Sequence, residues 1–201
     1  MNILIATKNP GKLTELRALF QAPGLRLVSA LDFPDLPDVE EDGDTLEANA
    51  VKKATACAKF TGLWSLADDT GLEVDALGGA PGVRSARYAG EDGNAARNRE
   101  KLLKEMDGRE NRTARFRTVI ALCSPEGQTR TVDGICPGKI VHAPRGDMGF
   151  GYDSLFQPEG YEQTFAELDL EEKNRISHRG RALAKAREAW IAELLAQQAE
   201  E

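Results

Sequence analysis

Five short segments of the chain carry residue types at spacings that could do chemistry on a phosphate or grip a flat ring. The first is Thr7-Lys8-Asn9-Pro10-Gly11-Lys12. Backbone N–H groups in a tight turn at a helix N-terminus bind anions, and two lysines add positive charge. Gly11 allows close backbone approach. A Walker P-loop would need Gly at position 6 and Ser or Thr at position 13, where this chain has Ala6 and Leu13. Taken alone, the stronger reading of this loop is a helix-capping turn with two solvated lysines.

The second segment is Asp68-Asp69-Thr70-Gly71, directly after the apolar run Leu63 to Ala67. Adjacent carboxylates at the carboxyl end of a strand lie where α/β sheets place their ligands. Hard carboxylate oxygens with few other ligands suit Mg²⁺, which keeps waters and reaches a substrate's phosphates. One carboxylate could hold metal while orienting or deprotonating a water. The same four residues also read as an ordinary polar turn. The third segment, Glu40-Glu41-Asp42-Gly43-Asp44, reads as a solvated loop or as the source of a second metal carboxylate, and spacing does not choose among its acids.

The fourth segment is Gly149-Phe150-Gly151-Tyr152-Asp153. Glycines flanking a Phe let the backbone bend around a flat group, aromatic rings can stack on a base, and Asp153 can accept hydrogen bonds. The fifth is Lys173 with Ser177-His178-Arg179-Gly180 at a predicted helix start. Imidazole and guanidinium groups can donate to carbonyl and ring-nitrogen acceptors on a base. His142, the other histidine, stands without a partner nearby in sequence and reads as a surface residue.

Composition narrows the classes. The net charge of −7 disfavours a polyphosphate backbone as the main ligand, so no nucleic-acid partner is expected. Cys57, Cys123 and Cys136 form no C-x-x-C pair, and with two histidines a zinc site is not expected. They read as free buried thiols of a reducing compartment. No apolar run reaches the roughly 20 residues of a membrane span. A strand opening right after Met1 leads us to expect no signal peptide and a cytoplasmic protein.

The elements that must position these segments follow from periodicity. Asn2 to Ala6 reads as a buried strand, Lys12 to Phe20 as an amphipathic helix stopped by Pro23-Gly24, and Leu25 to Ser29 as a second strand. Asp32 to Asp44 is a loop, and Thr45 to Phe60 an Ala-rich helix capped by Asp44 or Thr45. Leu63 to Ala67 is a strand, Gly78 to Gly93 a glycine-rich stretch, and Asn94 to Met106 a helix. Thr113 to Ser124 and Gln128 to Cys136 form an antiparallel pair, Met148 to Asp153 a turn, and Gly180 to Gln198 a terminal helix. No linker divides the chain, so residues 1–201 are expected to form a single domain of α/β class, a mixed central sheet with flanking helices.

Together the segments resemble the inosine triphosphate pyrophosphatase family, the dITP/XTP pyrophosphatases. The resemblance rests on T-K-N-P-G-K at 7–12, A-D-D-T-G at 67–71, G-G-A-P-G-V-R-S-A-R-Y-A-G at 78–90, G-F-G-Y-D at 149–153 and E-K-N-R-I-S-H-R-G at 172–180. It covers nearly the whole chain. It implies a homodimer with two lobes and a cleft, and Mg²⁺-dependent hydrolysis of ITP, dITP and XTP to the monophosphate and pyrophosphate. It further implies triphosphate binding by Thr7, Lys8, Asn9, Pro10, Gly11, Lys12 and Lys53. Asp69 would be general base and metal partner, Glu41 the other metal carboxylate, and Thr70 a substrate contact. Phe150, Gly151, Tyr152, Asp153, Lys173, His178 and Arg179 would form the nucleoside pocket. Thr70 replaces the usual Ser, Ser154 a usual Pro and Met148 a usual Gly, while Ala48 stands where Glu often falls. Two other classes fit the residues less well: an enzyme acting at the γ-phosphate, and a nucleotide sensor, which would need no water-activating carboxylate.

Overall fold

The computed structural model describes residues 1–200, with side chains through residue 196. The fold is mixed α/β. The strands are β1 (Asn2–Ile5), β2 (Arg26–Ser29), β3 (Trp64–Val74), β4 (Pro81–Gly82), β5 (Thr113–Cys123), β6 (Thr129–Ile140) and β7 (Phe156–Pro158). The helices are α1 (Pro10–Leu19), α2 (Leu46–Thr61), α3 (Ala95–Glu105), α4 (Leu170–Ile176) and α5 (His178–Glu200). The strand order is β2-β1-β3-β5-β6-β7, with β4 on β3. β1 pairs in parallel with both β2 and β3, whereas β4 on β3 and β7 on β6 are antiparallel.

The residues group into two compact units. One comprises Met1–Asp69, Thr118–Gly134 and Arg179–Glu201; the other Thr70–Arg117 and Ile135–His178. Each has its own apolar core. In the first, Ile3, Ile5 and Leu66 from strands meet Leu13 and Leu16 of α1, Phe20 at its C-cap, and Leu183, Trp190 and Leu194 of α5. In the second, Leu72 and Val74 of β3 pack with Leu102, Met106, Phe116, Phe156 and Phe165. The chain passes between the units at Asp69–Thr70, Arg117–Thr118, Gly134–Ile135 and His178–Arg179. Two of the five chemically promising segments therefore straddle a unit boundary.

Several element boundaries differ from expectation for identifiable reasons. Helix α1 starts at Pro10 rather than Lys12, because Asn9 caps it: its Oδ1 accepts from the Lys12 N–H at 3.1 Å, and proline suits the first helical position. Thr45, not Asp44, caps α2 through its hydroxyl. The largest correction is β3. It does not end at Ala67 but continues through Asp68-Asp69-Thr70-Gly71 to Val74. The turn reading of D-D-T-G assumed solvated aspartates, and both are buried with partners. Gly71 also suits a strand here, since a Cβ at that position would stand 2.7 Å from the Gly82 carbonyl oxygen of β4. Strand β6 runs on past Cys136 to pair with β7, and α4 precedes the expected terminal helix, capped by Asp169. The three cysteines are free and buried, as expected. No helix among the described residues is long and apolar enough to cross a membrane.

Candidate active site

Consecutive strand residues point to opposite faces, so Asp68 and Asp69 face different neighbours although adjacent in sequence. Asp68 Oδ2 accepts from Arg179 Nη2 at 3.0 Å and lies 3.1 Å from Lys12 Nζ. The other side of the Arg179 guanidinium donates to Glu15 of α1. Arg179, Glu15 and Asp68 are each at most 3% exposed. Burial alone would raise the Asp68 carboxyl, but Lys12, Arg179 and Lys53 hold it well below the usual carboxylate range. Lys12 is pushed down, first by burial and then by the neighbouring Lys53 and Arg179 cations, against the pull of Asp68. These four side chains bring two cations and two anions together around the buried Asp68 carboxylate.

Asp69 meets a different environment. Its Oδ2 accepts from Asn49 Nδ2 at 3.0 Å. Burial raises its pKa, and the nearby Glu41 charge adds to the rise, against Lys53, Lys12 and the Asn49 amide. Asn49 in turn accepts from the Gly43 N–H at 2.8 Å, tying the acidic loop to α2. Gly43 is needed for this approach, because a Cβ there would stand 2.7 Å from Asn49 Oδ1. Lys53, one helical turn beyond Asn49, donates to Glu41 and to the Asp68 carbonyl, the latter at 2.6 Å. Burial opposes its charge, yet Asp68, Glu41 and Asp69 together raise its pKa. The outcome is one buried carboxylate neutralised by cations and, beside it in sequence, one kept basic by burial and a second acid. A raised carboxyl beside a depressed one is the pattern by which acid–base sites assign different roles to neighbouring carboxylates.

The loop residues divide. Lys8 is half-exposed and bonds Asp38 at 2.6 Å, away from the buried carboxylates, while Thr7 Oγ1 accepts from the Asn9 N–H at 3.2 Å. Pro10, Gly11 and Lys12 occupy the first turn of α1.

The second unit collects the remaining candidates. Asp153 Oδ2 accepts from the Phe150 N–H at 2.9 Å and from Lys173 Nζ at 2.7 Å. The ammonium of Lys173 stands 5.0 Å from the Phe150 ring centroid and 5.7 Å from that of Phe165, within cation–π range. His178 stacks on Phe116 with centroids 4.6 Å apart, and tilts against Phe165 at 6.0 Å. The Tyr152 hydroxyl donates to the Ser85 carbonyl at 2.8 Å. Thr70, half-buried, follows Asp69 on β3. Arg179 differs from its expected company: its guanidinium is engaged by Asp68 and Glu15, in the first unit.

Sequence reasoning missed Glu15, Asn49, Phe116 and Phe165. The first two carried a readable signal. Glu15 interrupts the apolar stripe of α1 between Leu13 and Leu16, and Asn49 lies on the same face of α2 as Lys53, four residues on. A polar residue on a buried helix face needs a partner. His142 is exposed, as read.

Two carboxylates, Glu41 and Asp69, are close enough for one to raise the other's pKa. Hard oxygen donors of like charge suit a divalent cation. No group of three or more His, Cys, Asp or Glu is arranged for a metal among the described residues. That donor set matches Mg²⁺, which binds through one or two carboxylates and completes its shell with water and phosphate, rather than a metal needing a protein cage.

A model of the Ham1 family matches residues 3–189. The chain is 54% identical over 190 residues to the dITP/XTP pyrophosphatase of Desulforamulus reducens, covering 94% of each. It is also 54% identical over 190 residues to that of Geobacillus kaustophilus, covering 94% of this chain and 93% of the relative. The solved structure of the Staphylococcus aureus Ham1 protein superposes with a TM-score of 0.86 at 38% identity, covering 96% of this chain and 100% of that one. A HAM1 protein from Coxiella burnetii superposes with a TM-score of 0.85 at 40% identity, covering 92% and 96%. With its fold, its motifs and almost its whole length in common with these proteins, the chain belongs to the Ham1 family.

Proposed function

We propose that this protein hydrolyses non-standard purine nucleoside triphosphates, ITP, dITP and XTP, to the monophosphate and pyrophosphate, and so removes them from the nucleotide pool. The single observation that carries the chemistry is the contrast within Asp68-Asp69: Asp68 locked into ion pairs, Asp69 buried, basic and beside Glu41. The relatives named dITP/XTP pyrophosphatase supply the substrate class.

In this reading, the N–H groups at the start of α1 and the Lys12 ammonium bind the phosphates, with Lys53 adding charge. Glu41 and Asp69 would hold Mg²⁺, whose charge, when bound, neutralises phosphate oxygens and the pyrophosphate leaving group. Asp69 accepts a proton from a water aimed at the α-phosphorus, and Asn49 holds the carboxylate in place for it. Arg179, fixed by Glu15, positions Asp68 and through it Lys12. The base is assigned to a second group of residues. The Phe150 ring offers a stacking face, Lys173 and Asp153 hold that ring's loop, and His178 donates to the 6-oxo group. Adenine has an amino group there, and leaving a buried donor unmatched disfavours it. Thr70 supplies a hydroxyl beside Asp69. A homodimer and a cytoplasmic setting complete the proposal.

The reading is tested by incubating the protein with Mg²⁺ and, separately, ITP, XTP, GTP and ATP, and identifying products. Inosine and xanthosine monophosphate with pyrophosphate are expected; orthophosphate and a diphosphate would favour an enzyme acting at the γ-phosphate. Metal-independent binding without turnover would favour a sensor. In the same panel, His178→Ala should narrow the preference for ITP over ATP by about tenfold or more, the scale of one buried hydrogen bond. Wild-type discrimination in that variant would remove His178 from base selection.

A further inference from the structure

The Phe150 ring is carried between two glycines, where the backbone itself adds little stiffness. Gly149 and Gly151 both lie in the left-handed region, with φ of +75° and +61°. Glycines adopt this region easily and leave it as easily, so a ring between them keeps its place only through bonds made around it. Asp153 closes the turn from inside, accepting from Phe150 N–H and Lys173 Nζ. A Cβ at Gly149 would stand 2.1 Å from that same carboxylate oxygen, so the closure requires glycine there.

Besides Lys173, contacts also reach the loop from the glycine-rich stretch and from α3. The Tyr152 hydroxyl donates to the Ser85 carbonyl, and Arg99 Nη1, on α3, donates to the Gly151 carbonyl at 2.8 Å. The helix that carries Arg99 is itself fixed to the glycine-rich stretch. Asn98, one residue earlier, accepts from the Ala89 N–H at 2.7 Å and donates to the Ala86 carbonyl at 2.9 Å. Ser85, in that stretch, accepts from the Leu72 N–H at 2.8 Å and donates to the Gly82 carbonyl at 2.6 Å. The segment 78–90, which had no part in the chemistry, thus acts with α3 as an anchor for the loop. Arg99 is half-buried, and its guanidinium is directed at a backbone carbonyl rather than at an acid. A cation aimed at a carbonyl makes a stronger hydrogen bond than a neutral donor would.

We infer that Arg99 is a positioning residue for the purine platform: by gripping the Gly151 carbonyl from α3 it holds the Phe150 ring in the pose that stacks on a base. The inference rests on the proposed function for its kinetic consequence but not for its structural one. Arg99 touches no reacting atom in this scheme, so its loss should weaken substrate binding more than chemistry.

The test combines amide hydrogen exchange over residues 149–153 with ITP kinetics for wild type, Arg99→Ala and Arg99→Lys. Arg99→Ala should exchange those amides about tenfold to a hundredfold faster, the range expected from one charge-assisted hydrogen bond. Its KM for ITP should rise by about tenfold while kcat moves by less than about threefold, the signature of lost positioning rather than lost chemistry. Arg99→Lys, which keeps the charge and a donor, should show both changes in smaller size, and it carries the test if the alanine variant does not fold. Wild-type exchange at 149–153 in the variants overturns the inference, as does an unchanged KM. If wild type does not cleave ITP at all, the functional reading fails, and the exchange data alone decide whether Arg99 holds the loop.

Discussion

Asp69→Asn should retain the fold and the affinity for ITP while losing turnover by about 10³-fold, within the range of about 10² to 10⁴ for removal of a positioned general base. The amide cannot accept the proton of an attacking water, yet it is nearly the same size and can still bond Asn49, which donates to the native carboxylate at 3.0 Å. KM should change by less than about fivefold, because the groups at the start of α1 proposed to bind the phosphates are untouched. Asp68→Asn would fail differently. Asp68 is an anion between Arg179 and Lys12, and its neutralisation leaves buried positive charge, so stability should fall along with activity. Steady-state kinetics and thermal melting on the two variants separate the roles. An Asp69→Asn enzyme with most of its turnover would remove Asp69 as the base.

The largest stability effect should come from a residue that makes no contact with the proposed substrate. Glu15→Leu removes one anion from the set Glu15, Arg179, Asp68 and Lys12, in which Arg179 is 1% exposed. Breaking a buried pair by removing one partner costs about 3–5 kcal/mol, since the remaining charge keeps its desolvation penalty. Arg179 retains Asp68, so the lower end of that range, about 3 kcal/mol, is expected. For a chain of this size that lowers Tm by about 6–12 °C. The double variant Glu15→Leu, Arg179→Met removes a cation with the anion and leaves Asp68 with Lys12. It should recover much of the lost stability, because apolar replacement of a complete buried ion pair is often neutral. It should still be impaired in turnover, since Asp68 and Lys12 lose their brace. Melting of Glu15→Leu within about 2 °C of wild type, which is under about 1 kcal/mol, would show that the buried set does not matter to the fold.

How much of this was legible in the sequence depends on how local the cause is. The turn before α1 was legible because its determinants lie within six residues, but the helix start was placed at Lys12, two residues late, because the cap formed by Asn9 and the opening position of Pro10 went unread. The acidity of Asp68-Asp69 was readable, but not that β3 runs through it, because burial of two aspartates depends on partners distant in the chain. Arg179 lies 111 residues from Asp68 and 164 from Glu15. No spacing rule links positions so far apart, and for the same reason sequence order sets Arg179 beside His178, whereas its side chain joins the carboxylates. Phe116 was hidden differently: in an apolar strand it looks like any core residue, and only its stacking on His178 marks it. The five segments were identifiable as a set through family resemblance before any one of them was convincing alone.

The step at the centre of the proposed reaction is attack of water at the α-phosphorus. Hydrolysis of ITP in ¹⁸O-labelled water, with the products resolved by mass spectrometry, tests it most directly. The label is expected in inosine monophosphate, with pyrophosphate unlabelled. Label in pyrophosphate, or in orthophosphate released alongside a diphosphate, would place the attack at another phosphorus and contradict it.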